Sequence, residues 1–493
     1  MKARLLHIIR SWPLYVLLLP VFFVLHGYRE NRELVPVAAA LMVLYTYLAA
    51  AVLLTGIIWL FNRRLNKAAF LAFCLLSIQI FFGAFHDFLR TTFPGSFLTK
   101  YTFLLPALLA GLVLLFILVK RKREPFSRSV LFLNILFLIF ILTDTAGLYS
   151  TPAQVSGKTA VYREGPVCDT CAKPDIYLII ADGYPGRETL DSCFRFDNSH
   201  FENELRNRGF YIVDSSRSNY NFTTYSLASM LNMEYLPGLE GRYSSKKDLA
   251  LCYRTISRNN TFRYLKSLGY SIHNLSIFDL ENDPSVTVPT FLPRKTESIL
   301  SQTLTSRLEK EIGFHLATTL KLPGIIKMLR THNLKNNQKL LKKTAELSAQ
   351  NSKTPRFVYT HLIMPHHPYY FDSTGRAITA DSLTDDQAMD PAAFISYLKY
   401  SNRELLGLVD SIRNNSPQPP VIFLMSDHGF REFREPVNHR FRFYTLNAIY
   451  YPDSNYSGLY KGMSNINQFR LFFNSHFRQG LPLLKDSVSY LID

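Results

Sequence analysis

Two apolar stretches of the sequence end alike. "IYLII" runs into Ala-Asp-Gly and sets Asp182 at its end; "VIFLM" runs into Ser-Asp-His-Gly and sets Asp427 and His428 there. One Asp-Gly after a strand is ordinarily a turn, and one Asp-His a solvated loop end. Two strand-end acids with a histidine point instead to a metal site, because carboxylate and imidazole together suit zinc or manganese better than calcium. A third stretch, "NYNFTTYSLASMLNMEYL", crowds the hydroxyls of Thr223, Thr224, Ser226 and Ser229. Leu227, Met230 and Leu231 fall at helical spacing, so a helix is expected to begin at Thr223 or Thr224. A hydroxyl at that place is an ordinary N-cap. The same place binds anions, since free N–H groups and the helix dipole point out of it. Beside a metal ion such a hydroxyl loses its proton more readily and becomes a nucleophile.

These residues need elements that bring them together. "FENELRNRGFYIVDSS" and "NTFRYLKSLGYSIHNLS" each read as helix, Gly stop and strand; "PRFVYTHLIMPHHP" reads as another strand. "YLKYSNRELLGLVDSIRNN" is an amphipathic helix leading into "VIFLMSDHG". Strands alternating with helices predict an α/β domain with a mostly parallel sheet. Ligands of such sheets bind at the carboxyl ends of the strands, where Asp182, Asp427 and His428 lie.

The first third of the 493 residues is of another kind. The chain is 47% hydrophobic, but before Gly147 the apolar residues come in five long runs, Ser11–Gly27, Val35–Phe61, Ala68–Leu89, Tyr101–Val119 and Val130–Leu148. Each approaches the roughly 20 residues that cross a bilayer core. Five in succession make buried core helices a poor explanation, and no cleavage site follows the first, as a signal peptide requires. Positive charge marks the N-terminus (Lys2, Arg4, Arg10) and the links "NRRLNK" and "KRKREPFSR". These sides face the cytoplasm. Five spans then place everything after Leu148 outside it, in a multi-pass protein of the cytoplasmic (inner) membrane with its catalytic domain on the extracytoplasmic side. The expected organisation is a five-helix transmembrane domain (1–148), a polar linker (149–172) and an α/β domain (173–493). Cys168, Cys171, Cys193 and Cys252 fall in the outer part, where two disulfides are permitted and their pairing is open.

Taken in order, "IYLIIADG", "TTYS", "MPHHP", "SDHG" and "NHR" resemble the alkaline phosphatase superfamily over roughly residues 173–452. With five membrane runs ahead of them, they are most similar to its membrane sulfatase-like branch, the lipid A phosphoethanolamine transferases and lipoteichoic acid synthases. The resemblance implies an alkaline-phosphatase-like fold and one divalent metal ion, zinc with manganese as the alternative. It makes Asp182, Thr223, Asp427 and His428 the ligands, Thr223 the nucleophile and Thr224 the runner-up, because a serine stands three residues after Thr223, at Ser226. His366 and His439 match histidines that contact the transferred group or a second metal; His361 and His367 flank them as structural residues. Three departures matter. Both transferase groups usually carry Glu where this chain has Asp182. The stretch "TTYSLA" has no Cys, Pro or Arg, so a formylglycine sulfatase is not expected. No further Asp stands near His366, which leaves a second metal open.

The function expected is a metal-dependent membrane transferase. It moves a phosphorus-containing headgroup, of phosphoethanolamine or phosphoglycerol type, from a phospholipid donor to a lipid or glycan acceptor through a phospho-threonine. The alternative is a hydrolase of phosphate or sulfate esters using the same site. Residues 285–350 interrupt the α/β pattern with eleven Lys or Arg and four Glu. They read as a basic helical insert, either solvated or lying on anionic headgroups. They account for part of the +17 net charge. A nucleic-acid partner is not expected outside the cytoplasm.

Overall fold

The computed structural model describes residues 2–32, 35–122, 127–149, 168, 170–281, 283–287, 296–309 and 330–492. Most of the expected linker, and residues 310–329 of the basic insert, lie outside these. Packing divides the chain into two compact units, Met1–Val155 with Pro293–Leu322 and Ser156–Leu292 with Pro323–Asp493.

Among the described residues of the first unit, four helices are long and apolar enough to cross a membrane: Val37–Phe61, Leu65–Thr92, Tyr101–Arg121 and Arg128–Leu148. The first of the five runs differs. It forms Tyr15–Asn31, 17 residues or about 26 Å, after a separate helix Lys2–Ser11. Pro13 sits at the break, where its ring blocks helix continuation. Asn134 fills the gap, accepting from the Tyr15 N–H (2.7 Å) and donating to the carbonyls of Ile9 and Trp12 (2.8 Å each). Tyr15, Leu19, Phe23, Ala69, Ala72, Leu76, Ile80 and Phe137 form the shared core. Met42, Val52, Leu53, Phe61, Phe132 and Leu142 stay exposed. An apolar exterior of that extent is stable only in an apolar medium.

Residues 296–309 also belong to this unit. Ile299 is buried in its core, and the Gly83 N–H donates to the Gln302 carbonyl at 2.7 Å. A Cβ on Gly83 would lie 2.7 Å from Gln302 Cα, so only glycine admits that backbone. Gln79 donates to Thr305 at 2.6 Å, and Arg307 pairs with Asp87 at 2.5 Å. Gln79, Gly83 and Asp87 are spaced by four residues, one stripe of a helix. This part of the basic insert therefore packs on a helix of its own chain. Farther along, the helix His332–Ser348 covers the sheet of the second unit.

The second unit is a six-stranded sheet: β1 (Ile176–Ala181), β2 (Tyr211–Ile212), β3 (Ser271–Leu275), β4 (Arg356–Leu362), β5 (Val421–Met425) and β6 (Asn447–Tyr450). Their order is β2-β6-β5-β1-β4-β3. β5, β1, β4 and β3 run parallel, and β6 pairs antiparallel with β5 and β2. Side chains of β1 alternate between two cores. Ile176, Leu178 and Ile180 meet Leu227, Met230, Phe469 and Phe473 on one face. Tyr177, Ile179 and Ala181 meet Leu205, Leu340, Tyr397 and Val409 on the other. Helices thus cover both faces, which is why β1, β4 and β5 are apolar without the alternation of a half-exposed sheet. Cutting a fully buried side chain such as Leu178 to Ala costs about 2–5 kcal/mol.

Register makes the site. Ala181 is level with Leu362, and Ile180 with Met425. The residues that follow β1, β4 and β5 therefore emerge side by side. Of the outer cysteines, Cys168 and Cys171 form a disulfide, while Cys193 and Cys252 are free.

Candidate functional site

Asp182 leaves β1 with its N–H donating to the Leu362 carbonyl at 3.0 Å, which keeps it in the sheet one residue beyond the strand. Gly183, at φ +67°, then turns the chain away, and its N–H donates to Asp427 Oδ1 at 3.1 Å. Ser426 secures the other side. Its hydroxyl accepts from the Tyr184 N–H (2.8 Å) and donates to the His428 carbonyl (2.7 Å). The two strand ends are laced together by backbone N–H groups of one and side-chain oxygens of the other.

Asp182, Asp427 and His428 are buried, and each offers a ligand atom within 4.8 Å of the others. His428 Nδ1 lies 2.7 Å from the Gly429 carbonyl. A carbonyl only accepts, so Nδ1 carries the proton and Nε2 presents its lone pair to the carboxylates. Nε2 is 3.6 Å from Asp182 Oδ1 and 3.5 Å from Asp427 Oδ2. Both of those oxygens are buried without a hydrogen-bond partner. Two orphaned carboxylate oxygens converging on an imidazole lone pair are costly unless a cation joins them. The donor set therefore fits a divalent ion such as zinc. Burial pushes the Asp182 carboxyl up, but His366, His361 and His428 outweigh it and hold it below the usual carboxylate range. Burial lowers His428, with Asp427 opposing and Arg431 adding to the effect, a direction that favours the uncharged ring a metal ligand needs.

Thr223 opens the helix Thr223–Asn232. The capping expected of Thr223 or Thr224 is not found. Phe222 is the N-cap residue, extended at φ −132°, and no side chain caps the helix. Its first-turn N–H groups are left for an anion. The Thr223 hydroxyl donates instead to His428 Nε2 at 3.2 Å, and Thr224 is buried beside Tyr253. Ser226, one turn on, donates to the Asp427 carbonyl. Thr223 faces the cluster and Thr224 does not.

β4 delivers the histidines. Asn337, on the helix His332–Ser348, exchanges hydrogen bonds of 2.7 and 2.8 Å with the backbone of Ile363 and fixes the strand's exit. His361 is fully buried, with Nε2 3.2 Å from Asp182 Oδ2, so it positions a ligand rather than only filling space. His366 Nδ1 donates to the His367 carbonyl at 2.8 Å, and its ring lies against Gly183. Its Nε2 is 3.7 Å from Glu432 Oε1. Sequence reasoning missed Glu432. The signal was an acid four residues after His428 on the same loop, but nothing in the residue order tells which way that acid turns. Burial would raise Glu432, yet His366, Arg431 and His367 lower it to about 2. His366, His367 and Glu432 form a second group whose ligand atoms also lie within 4.8 Å of one another. His439 is exposed at the start of a 3-10 turn, and its ring rests on Tyr490 at 3.9 Å. Among the described residues no hydrogen bond or ion pair joins it to the cluster.

No family model and no curated protein matches the chain. Among solved structures it is similar to a zinc complex of the C-terminal periplasmic domain of EcEptC from Escherichia coli, with 12% identity and TM-score 0.38 over 64% of this chain and 84% of that one. It is also similar to the integral membrane lipooligosaccharide phosphoethanolamine transferase A (EptA) from Neisseria meningitidis, with 11% identity and TM-score 0.38 over 97% of both chains. A protein of the alkaline phosphatase superfamily from Vibrio parahaemolyticus matches at 12% identity and TM-score 0.35, over 64% of this chain and 68% of that one. These structures are of the kinds that the sequence motifs resemble. At such identities and scores the likeness carries no argument of its own, and the chemistry rests on the residues above.

Proposed function

We propose that this chain is a metal-dependent membrane transferase that moves a phosphorus-containing headgroup from a phospholipid to a lipid or glycan acceptor. The observation that carries this reading is Thr223: its hydroxyl opens an uncapped helix 3.2 Å from His428 Nε2, beside one unpartnered, buried carboxylate oxygen on each of Asp182 and Asp427. Asp182, Asp427, His428 and Thr223 would hold one divalent ion, with zinc favoured by the mixed carboxylate and imidazole set. When bound, the ion neutralises the carboxylates and lowers the pKa of the Thr223 hydroxyl.

Thr223 Oγ1 passes its proton to bulk water and attacks phosphorus as the alkoxide, the form in which it is later released. The bond from phosphorus to the lipid oxygen breaks, and that oxygen takes a proton from His366, which Glu432 backs. The phospho-threonine is then attacked by an acceptor hydroxyl, whose proton returns to His366 as Thr223 is released. The first-turn N–H groups of the Thr223 helix donate to the non-bridging oxygens, and His439 would engage the acceptor or the headgroup from the surface.

The apolar helices supply the membrane. Tyr15–Asn31 is taken as a fifth span, packed against Val37–Asn62, Leu65–Thr92 and Ser127–Tyr149. With the Lys/Arg bias of the links, it puts the catalytic unit on the extracytoplasmic side of the cytoplasmic membrane. The test is incubation of the zinc-loaded protein with phospholipid labelled in its headgroup, with and without membrane glycolipids. Label appearing on a lipid or glycan supports transfer. Label released only to water makes the chain a hydrolase, and no turnover of any phospholipid refutes the reading.

A further inference from the structure

The loop after His428 is held unusually tightly. A Cβ on Gly429 would lie 2.7 Å from the Tyr444 carbonyl oxygen and 2.8 Å from the Arg442 carbonyl carbon, so only glycine lets the loop lie on that segment. The Gly429 N–H donates to the Arg442 carbonyl at 2.9 Å, and Arg442 donates back to the Arg431 carbonyl at 2.9 Å. The backbone of Arg431 is thus pinned.

Its side chain turns to the site. The guanidinium lies 4.6 Å over the ring of Phe222, the residue next to Thr223, and Phe222 itself stacks on Tyr243 at 4.1 Å. One terminal nitrogen is 3.8 Å from Glu432 Oε1, the same oxygen that faces His366. The guanidinium therefore stands between the nucleophile's neighbour and the histidine's partner. Yet Arg431 Nε is buried and has no hydrogen-bond partner. A purely structural ion pair does not explain this, because the contact with Glu432 is long and leaves Nε unmet. Aligned Nε and terminal N–H groups are the fork that grips two oxygens of a tetrahedral anion.

We infer that Arg431 binds the non-bridging oxygens of the phosphoryl group during transfer. The inference rests on the phosphoryl-transfer reading and adds to it a residue that touches the substrate.

The test uses the full-length, zinc-loaded protein and inorganic phosphate, with binding followed by calorimetry and zinc content measured alongside. Arg431→Gln should hold zinc as the wild type does and bind phosphate at least about tenfold more weakly. Arg431→Lys keeps the charge and the packing on Phe222 but has no donor at the Nε position. It should keep zinc and lose part of that affinity, and it serves where the Gln variant does not fold. Wild-type phosphate affinity in a zinc-replete Gln or Lys variant overturns the role of Arg431 alone. A wild-type protein that takes zinc but no phosphate overturns the phosphoryl-transfer reading, and this assignment with it.

Discussion

The Ser226 hydroxyl donates to the main-chain carbonyl of Asp427, tying the helix that carries Thr223 to the strand end that carries two metal-ligand candidates. Ser226 touches neither substrate nor metal, so its effect is positional. Ser226→Ala should keep wild-type zinc content and lower kcat by about 100-fold, the scale set by a misplacement near 1 Å. Full turnover in that variant would show that the helix needs no such tie.

The two adjacent threonines should behave differently. Thr223→Ala should abolish transfer, since removing a covalent nucleophile costs several orders of magnitude. Thr224→Ala removes a buried hydroxyl that lies beside Tyr253 and not in the cluster, and should keep most activity. With acceptor withheld, peptide mass spectrometry should find the phosphorus-containing adduct on Thr223. An adduct on Thr224 contradicts the geometry.

The orphaned oxygens of Asp182 and Asp427 give the metal a thermodynamic signature. Stripping zinc with a chelator should lower the melting temperature of the wild type. Asp427→Asn should bind zinc far more weakly, yet its metal-free form should melt above the metal-free wild type, because one of two facing carboxylates has lost its charge. A metal-free Asn variant less stable than the metal-free wild type would mean that the pair is held by something other than a cation.

Glu432 is depressed to about 2, with burial opposing and His366 the leading cause. A carboxyl lowered in the folded state stabilises it above the ordinary Glu value, and that contribution is lost as pH falls through the folded value. The melting-temperature gap between wild type and Glu432→Gln should therefore be full at pH 6 and close as pH falls from about 4.5 towards 2. A gap independent of pH would assign Glu432 a packing role only.

Asp182, Asp427 and His428 were legible in the sequence because each follows an unbroken apolar strand, and strand ends of a parallel sheet converge whatever the loops do. The sheet and its covering helices followed from the same periodicity, which left the helix start open between Thr223 and Thr224; the resemblance chose Thr223. Glu432, Arg431 and Ser426 were not legible, since their roles depend on which way a side chain turns from an irregular loop. The capping expected at Thr223 or Thr224 failed because the helix starts at Thr223 itself, so that Phe222 is the N-cap residue and both hydroxyls lie inside the first turn. Likewise the basic insert could not be placed by composition. Its residues 296–309 are held by Gly83 and Asp87, ordinary residues inside an apolar run.

That excursion has a consequence for biosynthesis. The partner of Gln79 is Thr305, made 226 residues later, which at ordinary elongation rates is roughly 10–45 s. For that interval the stripe around Gly83 stands open. β1 waits longer still, because both of its neighbours, β4 and β5, come after residue 355. The apolar unit is therefore complete before the sheet can close. Three passes of chain also join the two units, so a protease cutting once between residues 150 and 167 leaves them covalently joined.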